Sequence, residues 1–203
     1  VAQKLGILHL DTGAMYRAFA WKALQKGVAL EDEAALEALT ATDLPEVRYE
    51  NGEQQVLLNG ENVNGVIRNE EVGNMASSTS VYPVVREKLV ELQRQLAKSA
   101  DVIMDGRDIG TCVLPDAQVK IYLTASSATR AKRRFDELTE KGVSCDLAEI
   151  EKDIIDRDYR DMHRETSPLC QAEDAVLVDS SEMNIDEVVD AIYQVYLKAE
   201  KEV

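Results

Sequence analysis

Short apolar runs alternate along the chain with longer segments in which apolar residues recur every three or four positions. Such runs are typical of strands that are covered on both faces, as in a parallel sheet. The predicted strands are Ile7–Leu10, Asp101–Met104, Val119–Leu123 and Ala175–Asp179. The predicted helices begin near Ala14, Glu31, Pro83, Ser126, Leu147 and Ile185. This alternation predicts a mostly parallel, doubly wound α/β sheet.

A different pattern interrupts the alternation between residues 28 and 70. Two runs of strand-forming residues, 47–49 and 55–58, flank the pair Asn51-Gly52, which strongly favours a two-residue hairpin turn. An antiparallel unit between helix-and-strand segments is best explained as an insertion that folds beside the main sheet. We therefore expect an α/β domain with one inserted unit.

Composition excludes several classes of partner. Of the 203 residues, 45% are hydrophobic and 30% are charged, which is typical of a folded globular protein. A net charge of −15 argues against nonspecific binding to nucleic acid and against docking on anionic membranes. The scattered cysteines Cys112, Cys145 and Cys170 predict free thiols rather than a disulfide framework or a zinc site. With no signal peptide and no apolar run of membrane-spanning length, we expect a cytoplasmic protein.

The stretch from Asp105 to Asp108 carries the first candidate chemistry. It places two carboxylates, a glycine and Arg107 directly after the apolar run 102–104. The carboxyl ends of parallel strands meet in a crevice that binds ligands, so these residues predict a polar site on a rigid support. A tight turn with a surface ion pair remains the alternative.

Arginines cluster on two predicted helices later in the chain, and the members of each cluster share one helical face. They are Arg130, Arg133 and Arg134 on the first helix, and Arg157, Arg160 and Arg164 on the second. Asp161 lies one turn beyond Arg157 and is expected to orient it. A solvated surface is the alternative for either helix alone, but two such faces in a strongly acidic protein favour an anion site.

A series of motifs in one order gives the chain a family resemblance. They are LDTGAMYR at 10–17, a small-residue run with PVVRE at 76–87, DGRDIGT at 105–111, RAKRR at 130–134, RDYRDMHR at 157–164 and VDSS at 178–181. With them the chain resembles the bacterial cytidylate kinases, a family of nucleoside monophosphate kinases. The resemblance implies a P-loop kinase-like three-layer fold with a mostly parallel sheet, an inserted NMP-binding unit and a helical lid. The implied division is core 1–27, NMP-binding insertion 28–83, core 84–143, lid 144–168 and core 169–203.

The resemblance also implies roles for individual residues. Thr12 and Arg17 match residues that contact the acceptor nucleotide, with Arg17 on its phosphate, and Arg107 matches a phosphate clamp. Ser77, Arg86 and Asp108 match the residues that read the cytosine edge. In the implied lid, Arg157 and Asp161 match residues that hold the ribose hydroxyls, and Arg164 matches a cation near the phosphates. Arg130 and Arg134 match arginines near the ATP base and phosphates. The implied catalytic groups are Arg107, Arg157 and Arg164. The chemistry agrees, because carboxylate and hydroxyl oxygens accept from the exocyclic amine of cytosine and a guanidinium donates to its carbonyl and ring nitrogen.

One motif of the family, the phosphate-binding loop G-x-x-x-x-G-K-[ST], is absent from these residues. We expect that the intact protein carries it before the first residue of this sequence, whereas a natural absence would make the chain an inactive relative. The resemblance implies ATP as phosphoryl donor with Mg²⁺, and Asp105 is the candidate carboxylate near that ion, through water. The expected partners are CMP, dCMP and ATP, and the protein is expected to be a monomer.

We therefore expect MgATP-dependent phosphorylation of CMP, and also of dCMP, to the diphosphate. One alternative is another small P-loop kinase with UMP or AMP as acceptor, and a second is a non-catalytic nucleotide-binding relative. A nucleic-acid-binding module is disfavoured by the acidic charge and by the lack of aromatic stacking platforms.

Overall fold

The computed structural model describes residues 1–201. Its helices are α1 (Ala2–Leu5), α2 (Thr12–Gln25), α3 (Glu33–Thr42), α4 (Glu70–Thr79), α5 (Pro83–Ala97), α6 (Ser127–Glu140), α7 (Leu147–His163) and α8 (Ile185–Glu200), with a π-helical turn at Ile109–Val113. Its strands are β1 (Leu8–Asp11), β2 (Glu46–Glu50), β3 (Glu53–Leu58), β4 (Glu61–Asn62), β5 (Val102–Asp105), β6 (Ile121–Thr124) and β7 (Val176–Asp179). The positions predicted from the apolar pattern are confirmed, with ends that shift by a few residues. Among the helices of residues 1–201, none has both the length and the apolar character needed to cross a membrane.

The main strands run parallel, as predicted. β1 pairs with β5 and β6 pairs with β7, both in parallel, whereas β2, β3 and β4 form an antiparallel sheet. The chain divides into two compact units, one of residues 2–109 and one that starts at Gly110 and includes Val1. The β1–β5 pair lies in the first unit and the β6–β7 pair in the second. The α/β class is thereby confirmed, while the predicted borders of the insertion and the lid remain predictions.

The predicted hairpin is confirmed between β2 and β3. Glu50 pairs with Glu53, so Asn51 and Gly52 alone form the turn. Their φ angles are 53° and 81°, the left-handed conformation that a type I′ turn requires at both central positions. Asparagine and glycine adopt this conformation more easily than other residues, which is why the sequence locates the turn.

The core of the first unit is built around α2. Leu10, Met15 and Phe19 are completely buried, and α2 packs mainly against α4. Complete burial of one such large apolar side chain contributes about 1.5 to 3 kcal/mol. Val85 and Leu89, from the apolar stripe predicted for α5, are also fully buried. This packing fixes α2, which carries the candidate residues Thr12 and Arg17.

The strands of the second unit are less buried than predicted. The run 175–179 predicts a buried strand, but Val176 is 44% and Leu177 is 55% exposed, and only Val178 is buried. Within its unit β7 pairs with β6 and contacts α8, so few neighbours cover its two faces. Leu123 of β6 is likewise 52% exposed. The prediction of fully buried strands is therefore wrong for most of β7 and for part of β6. In the first unit it is also wrong for β5, whose Val102, Ile103 and Met104 are only half-buried.

A buried carboxylate connects α2 and α3 with the turn that follows β3. Asp43, at the end of α3, is 3% exposed. Its hydrogen-bond donors are Lys26 Nζ at 2.7 Å, Thr42 Oγ1 at 2.6 Å and Asn59 Nδ2 at 2.9 Å. Lys22 Nζ lies 3.5 Å from the same carboxylate. These contacts, with the Lys26 hydrogen bond the largest, hold the pKa of Asp43 well below its ordinary value of 3.8, although desolvation opposes them.

We expect Asp43→Asn to destabilise the protein at neutral pH by about 2 to 3 kcal/mol, because hydrogen bonds to a charged group contribute about that much. A carboxylate whose pKa is lowered by folding stabilises the fold above its unfolded-state pKa, and this stabilisation is lost as the pH falls towards the folded-state pKa. The difference in stability between wild type and variant should therefore shrink between about pH 4 and pH 2. Urea unfolding across that range measures it, with exposed Glu37→Gln of α3 as control. A difference that stays constant down to acidic pH would contradict this account.

Candidate active site

Strands β1 and β5 end side by side and place Asp11 opposite Asp105. Thr12 begins α2 directly after Asp11, and its Oγ1 donates to the backbone oxygen of Asp105 at 2.7 Å. A Cβ atom on Gly106 would lie 2.5 Å from Thr12 Oγ1 and 2.8 Å from the side chain of Ile109. Space alone therefore requires glycine at this position, and the segment after β5 turns tightly against the start of α2.

Asp11 caps helix α2 and also holds Arg17. Its Oδ1 accepts from the backbone N–H of Ala14 at 2.9 Å, and its Oδ2 accepts from Arg17 Nη2 at 2.7 Å. The Arg17 side chain is 20% exposed, and its buried Nε has no hydrogen-bond partner within residues 1–201. A Cβ atom on Gly13 would lie 3.1 Å from Arg17 Nη1, so glycine makes room for the guanidinium. Arg17 is thus fixed near a helix N-terminus, where the helix dipole favours anions.

The inserted hairpin is joined to the same point of β1 by side chains. Asp11 N–H donates to Gln54 Oε1 at 2.7 Å, and Gln54 Nε2 donates to the backbone oxygen of Asp11 at 3.1 Å. Tyr49 Oη donates to the backbone oxygen of His9 at 3.0 Å. The end of β1 therefore has partners on both sides, β5 through its main chain and the hairpin through Gln54 and Tyr49.

Arg86 and Asp108 form a buried ion pair, with Arg86 Nη2 2.5 Å from Asp108 Oδ2. The two residues are 2% and 5% exposed, so the alternative of a surface ion pair is wrong for Asp108. Arg86 Nη1 donates to the backbone oxygen of Ser80 at 3.2 Å, and the guanidinium carbon lies 5.4 Å from the ring centroid of Tyr16, within cation–π range. These contacts bring α2, the end of α4, α5 and the segment after β5 together around one cation.

Two buried polar atoms of this cluster, Ser77 Oγ and Arg86 Nε, have no hydrogen-bond partner within the described residues 1–201. Ser77 is tied to the cluster through Ser80, whose Oγ donates to the Ser77 backbone oxygen at 2.8 Å. A buried donor or acceptor that stays unpaired costs about 1 to 3 kcal/mol. A ligand that hydrogen-bonds to both atoms removes this cost, so the arrangement is typical of a site for a polar ligand.

Asp105 lies at the exposed end of β5. Its side chain is 64% exposed, and its Oδ1 lies 3.1 Å from His9 Nε2. Desolvation, and next the charge of Asp11, raise the pKa of Asp105 above its ordinary value, while His9 opposes the shift. Because water reaches most of this side chain, solvent screens these interactions and limits the rise.

The resemblance implies a magnesium ion, which needs oxygen ligands. Within residues 1–201, no group of three or more His, Cys, Asp and Glu side chains is placed to hold a metal ion. Kinase sites bind Mg²⁺ with one or two carboxylates, substrate phosphates and water, so they need no such cage. The exposed carboxylate of Asp105 fits that mode.

In the second unit, α6 and α7 pack together and join Arg130 to Asp158. Two nitrogens of Arg130 donate to the Asp158 carboxylate at 3.0 and 2.5 Å, and Arg130 Nε donates to a backbone oxygen at 3.0 Å. Arg134 is more exposed and pairs with Glu137 at 2.8 Å. Arg133 donates to backbone oxygens that follow β7. The predicted arginine face therefore contains Arg130, held by three hydrogen bonds, and Arg134, held by one ion pair.

Arg164 and Asp161 contact each other at the end of α7. Their side chains are 4% and 7% exposed, with Arg164 Nη1 3.6 Å from Asp161 Oδ1. Arg164 Nε also donates to the backbone oxygen of Ser167 at 2.8 Å. The sequence predicted Asp161 as a partner of Arg157, and the structure adds Arg164 as its partner one turn later. Arg157 is half-buried and Arg160 is exposed.

The structure thus places the predicted residues in two groups. In the first unit, contacts at the start of α2 hold Thr12 and Arg17, and one buried cluster holds Ser77, Arg86 and Asp108, while Arg107 is exposed. The second unit carries Arg130, Arg134, Arg157, Asp161 and Arg164.

Three supporting residues escaped the sequence analysis. Asp11 holds Arg17, Tyr16 lies against Arg86, and Asp158 holds Arg130. An aspartate directly before a helix is a capping signal, so the sequence could have predicted Asp11 as the cap of α2. Asp158 gives no local signal, because 28 residues separate it from Arg130.

The parallel α/β fold and the match to a family model together make the protein a phosphotransferase of the nucleoside monophosphate kinase class. The family model described as cytidylate kinase matches residues 1–198. The chain therefore belongs to the cytidylate kinase family, whose members use ATP as phosphoryl donor, generally with Mg²⁺.

Curated relatives agree over nearly the full chain. A cytidylate kinase of Lactobacillus gasseri is 50% identical over 201 residues, which cover 99% of this chain and 87% of the relative. One of Geobacillus sp. is 48% identical over 195 residues, covering 96% of this chain and 87% of the relative. One of Streptococcus pneumoniae is 47% identical over 193 residues, covering 95% and 86%.

Proposed function

We propose that this protein transfers the γ-phosphoryl group of MgATP to the 5′-phosphate of CMP, and also of dCMP, giving ADP and the nucleoside diphosphate. Membership of the cytidylate kinase family supports the reaction. The observation that carries the choice of base is the buried pair of Arg86 and Asp108, with Ser77 Oγ and Arg86 Nε left to hydrogen-bond with a ligand.

The polarity of this pair matches cytosine. Cytosine presents an exocyclic amine as donor, and a ring nitrogen and a carbonyl as acceptors. Asp108 and Ser77 accept from the amine, while N–H groups of Arg86 that Asp108 and Ser80 do not use donate to the ring nitrogen and the carbonyl. Uracil carries an oxygen in place of the amine, and the carboxylate repels it. Burial strengthens both effects, since the local dielectric is low.

Arginines perform the phosphoryl chemistry in this proposal. Arg17 and Arg107 hold the acceptor phosphate, and Arg157 and Arg164, in the proposed lid 144–168, add positive charge when the lid closes and water leaves. Phosphoryl transfer passes through a loose transition state, so the protein chiefly positions the reactants and neutralises charge. The acceptor phosphate is already an anion, so no strong general base is needed. The ribose hydroxyls bind Arg157 and Asp161, and Thr12 contacts the acceptor.

We assign three side chains to the ATP donor and its ion. Arg130 and Arg134 contact the base and phosphates of ATP in this assignment. Asp105 is the side chain that would hold Mg²⁺, through water. When bound, the ion neutralises charge on the ATP phosphates.

An acceptor panel tests the proposal. The intact protein is incubated with MgATP and CMP, dCMP, UMP or AMP, and ADP release is measured. We expect CMP and dCMP to react with a kcat/KM about 100-fold above that of UMP, because one hydrogen bond to a charged group decides between the bases. Faster reaction with UMP or AMP would show another small kinase, and CMP binding without turnover would show a non-catalytic relative.

A further inference from the structure

We propose that Arg68 is a second arginine for the phosphate of the acceptor nucleotide, acting beside Arg17. The inference rests on the proposed function, because it adds one residue to the same acceptor site. Arg68 belongs to no sequence motif that identified the chain, and only its contact with Asp11 points to this role.

Arg17 and Arg68 converge on one oxygen atom. Arg17 Nη2 lies 2.7 Å and Arg68 Nη2 lies 3.2 Å from Asp11 Oδ2. The other oxygen, Oδ1, accepts from the backbone N–H of Ala14 at the start of α2. The two guanidinium groups therefore stand next to each other at a helix N-terminus, where anions are favoured.

One carboxylate cannot neutralise two arginines. The two guanidinium groups bring two positive charges to the one negative charge of Asp11, in a protein whose overall charge is −15. The next carboxylate, Asp105 opposite Asp11, has its own contact with His9. A phosphate offers up to three oxygens and two negative charges, and planar guanidinium groups match it with paired hydrogen bonds. A phosphate bound between the two arginines can form an ion pair with each guanidinium, whereas the single carboxylate of Asp11 can neutralise only one.

The backbone of Arg68 is fixed although its side chain is 69% exposed. Ile67, directly before it, is 1% exposed and belongs to the core. Asn69, directly after it, caps α4 by accepting from the Val72 N–H at 2.9 Å. An arginine on such a support can turn its side chain from Asp11 to an arriving phosphate without moving the chain.

Stability does not explain this contact. An ion pair in which one side chain is largely exposed contributes little to folding. Arg48 offers the comparison, since its side chain is 63% exposed and it forms a simple pair with Glu46 at 2.9 Å. That pair is neutral, whereas Arg68 shares an acid that already binds Arg17.

The test compares Arg68→Gln with Arg48→Gln, which removes the same charge from a similarly exposed position of the same unit. Calorimetry measures the binding of CMP and of cytidine, which lacks the phosphate. We expect Arg68→Gln to bind CMP about tenfold more weakly than wild type, the effect of one lost charge-assisted contact, and to bind cytidine unchanged. Arg48→Gln should match wild type for both ligands.

Equal CMP affinity in the two variants would overturn the role of Arg68, and so would a parallel loss of CMP and cytidine binding. Thermal unfolding of both variants checks that each is folded to the same extent. A wild-type protein that neither binds nor phosphorylates CMP would overturn the proposed function instead. The experiment therefore distinguishes a failure of the Arg68 proposal from a failure of the proposed function.

Discussion

Asp108→Asn should lose most of the preference for CMP over UMP. An asparagine at this position keeps one oxygen for Arg86 Nη2, but it removes the negative charge that binds the cytosine amine, and its own amide can donate to the uracil oxygen. We expect kcat/KM for CMP to fall about 100-fold and the ratio of CMP to UMP to fall by a similar factor, since a hydrogen bond to a charged group is worth about 1.5 to 3 kcal/mol. Steady-state rates with both acceptors at saturating MgATP measure the change.

The same substitution should destabilise the fold. Removing one partner of a buried ion pair costs about 3 to 5 kcal/mol, and we expect about 3 because the asparagine oxygen still accepts from Arg86. Asp101→Asn is the matched control, since Asp101 is exposed and lies just before β5. Unfolding by urea separates the loss of stability from the loss of preference, and rates are compared where each variant is folded. An unchanged ratio of CMP to UMP in folded Asp108→Asn would show that this carboxylate does not read the base.

Arg17→Lys should reduce kcat/KM for CMP by a factor of about 100 to 1,000, comparable to losing one preorganised donor at a developing charge. Lysine keeps the positive charge but presents a single ammonium, so the fork that binds two phosphate oxygens is lost. The Nε atom of Arg17, buried and without a hydrogen-bond partner within residues 1–201, is one donor that lysine cannot replace. Rates with CMP as varied substrate measure the effect.

The control for Arg17→Lys is Arg48→Lys, an exposed position on β2 of the same unit. We expect that variant to behave like wild type, because Arg48 has no assigned role in the proposed site. Cytidine binding should be unaffected by Arg17→Lys if the arginine serves the phosphate. A kcat/KM within about threefold of wild type would remove Arg17 from the phosphate site.

Local rules explain which parts of the fold were predictable. The turn at Asn51-Gly52 follows from backbone preferences that two residues express by themselves. The exposure of Val176 and Leu177 does not, because an apolar run has the same pattern whether or not neighbours cover it. Parallel pairing was predictable from the alternation of strand and helix, but the division into two strand pairs was not.

The same distinction between local and long-range signals applies to the candidate site. Arg86 and Asp108 stood out through their motifs, yet 22 residues separate them and no pattern shows that they form one buried pair. Arg68 lies 57 residues from Asp11, and their contact depends on how the insertion returns to the end of β1. Residue type and motif predicted which side chains carry chemistry, whereas the partners that position them needed the folded chain.

Gln54 occupies, with one side chain, the place that another strand would take beside Asp11. Its amide closes the open edge of β1 at the residue that caps α2 and holds Arg17. No ladder of main-chain bonds joins β3 to β1, so both peptide groups of Asp11 depend there on this one amide. A single exchange of Gln54 for a residue without an amide would therefore strip hydrogen bonds from the residue that positions a cation 37 residues away in the sequence.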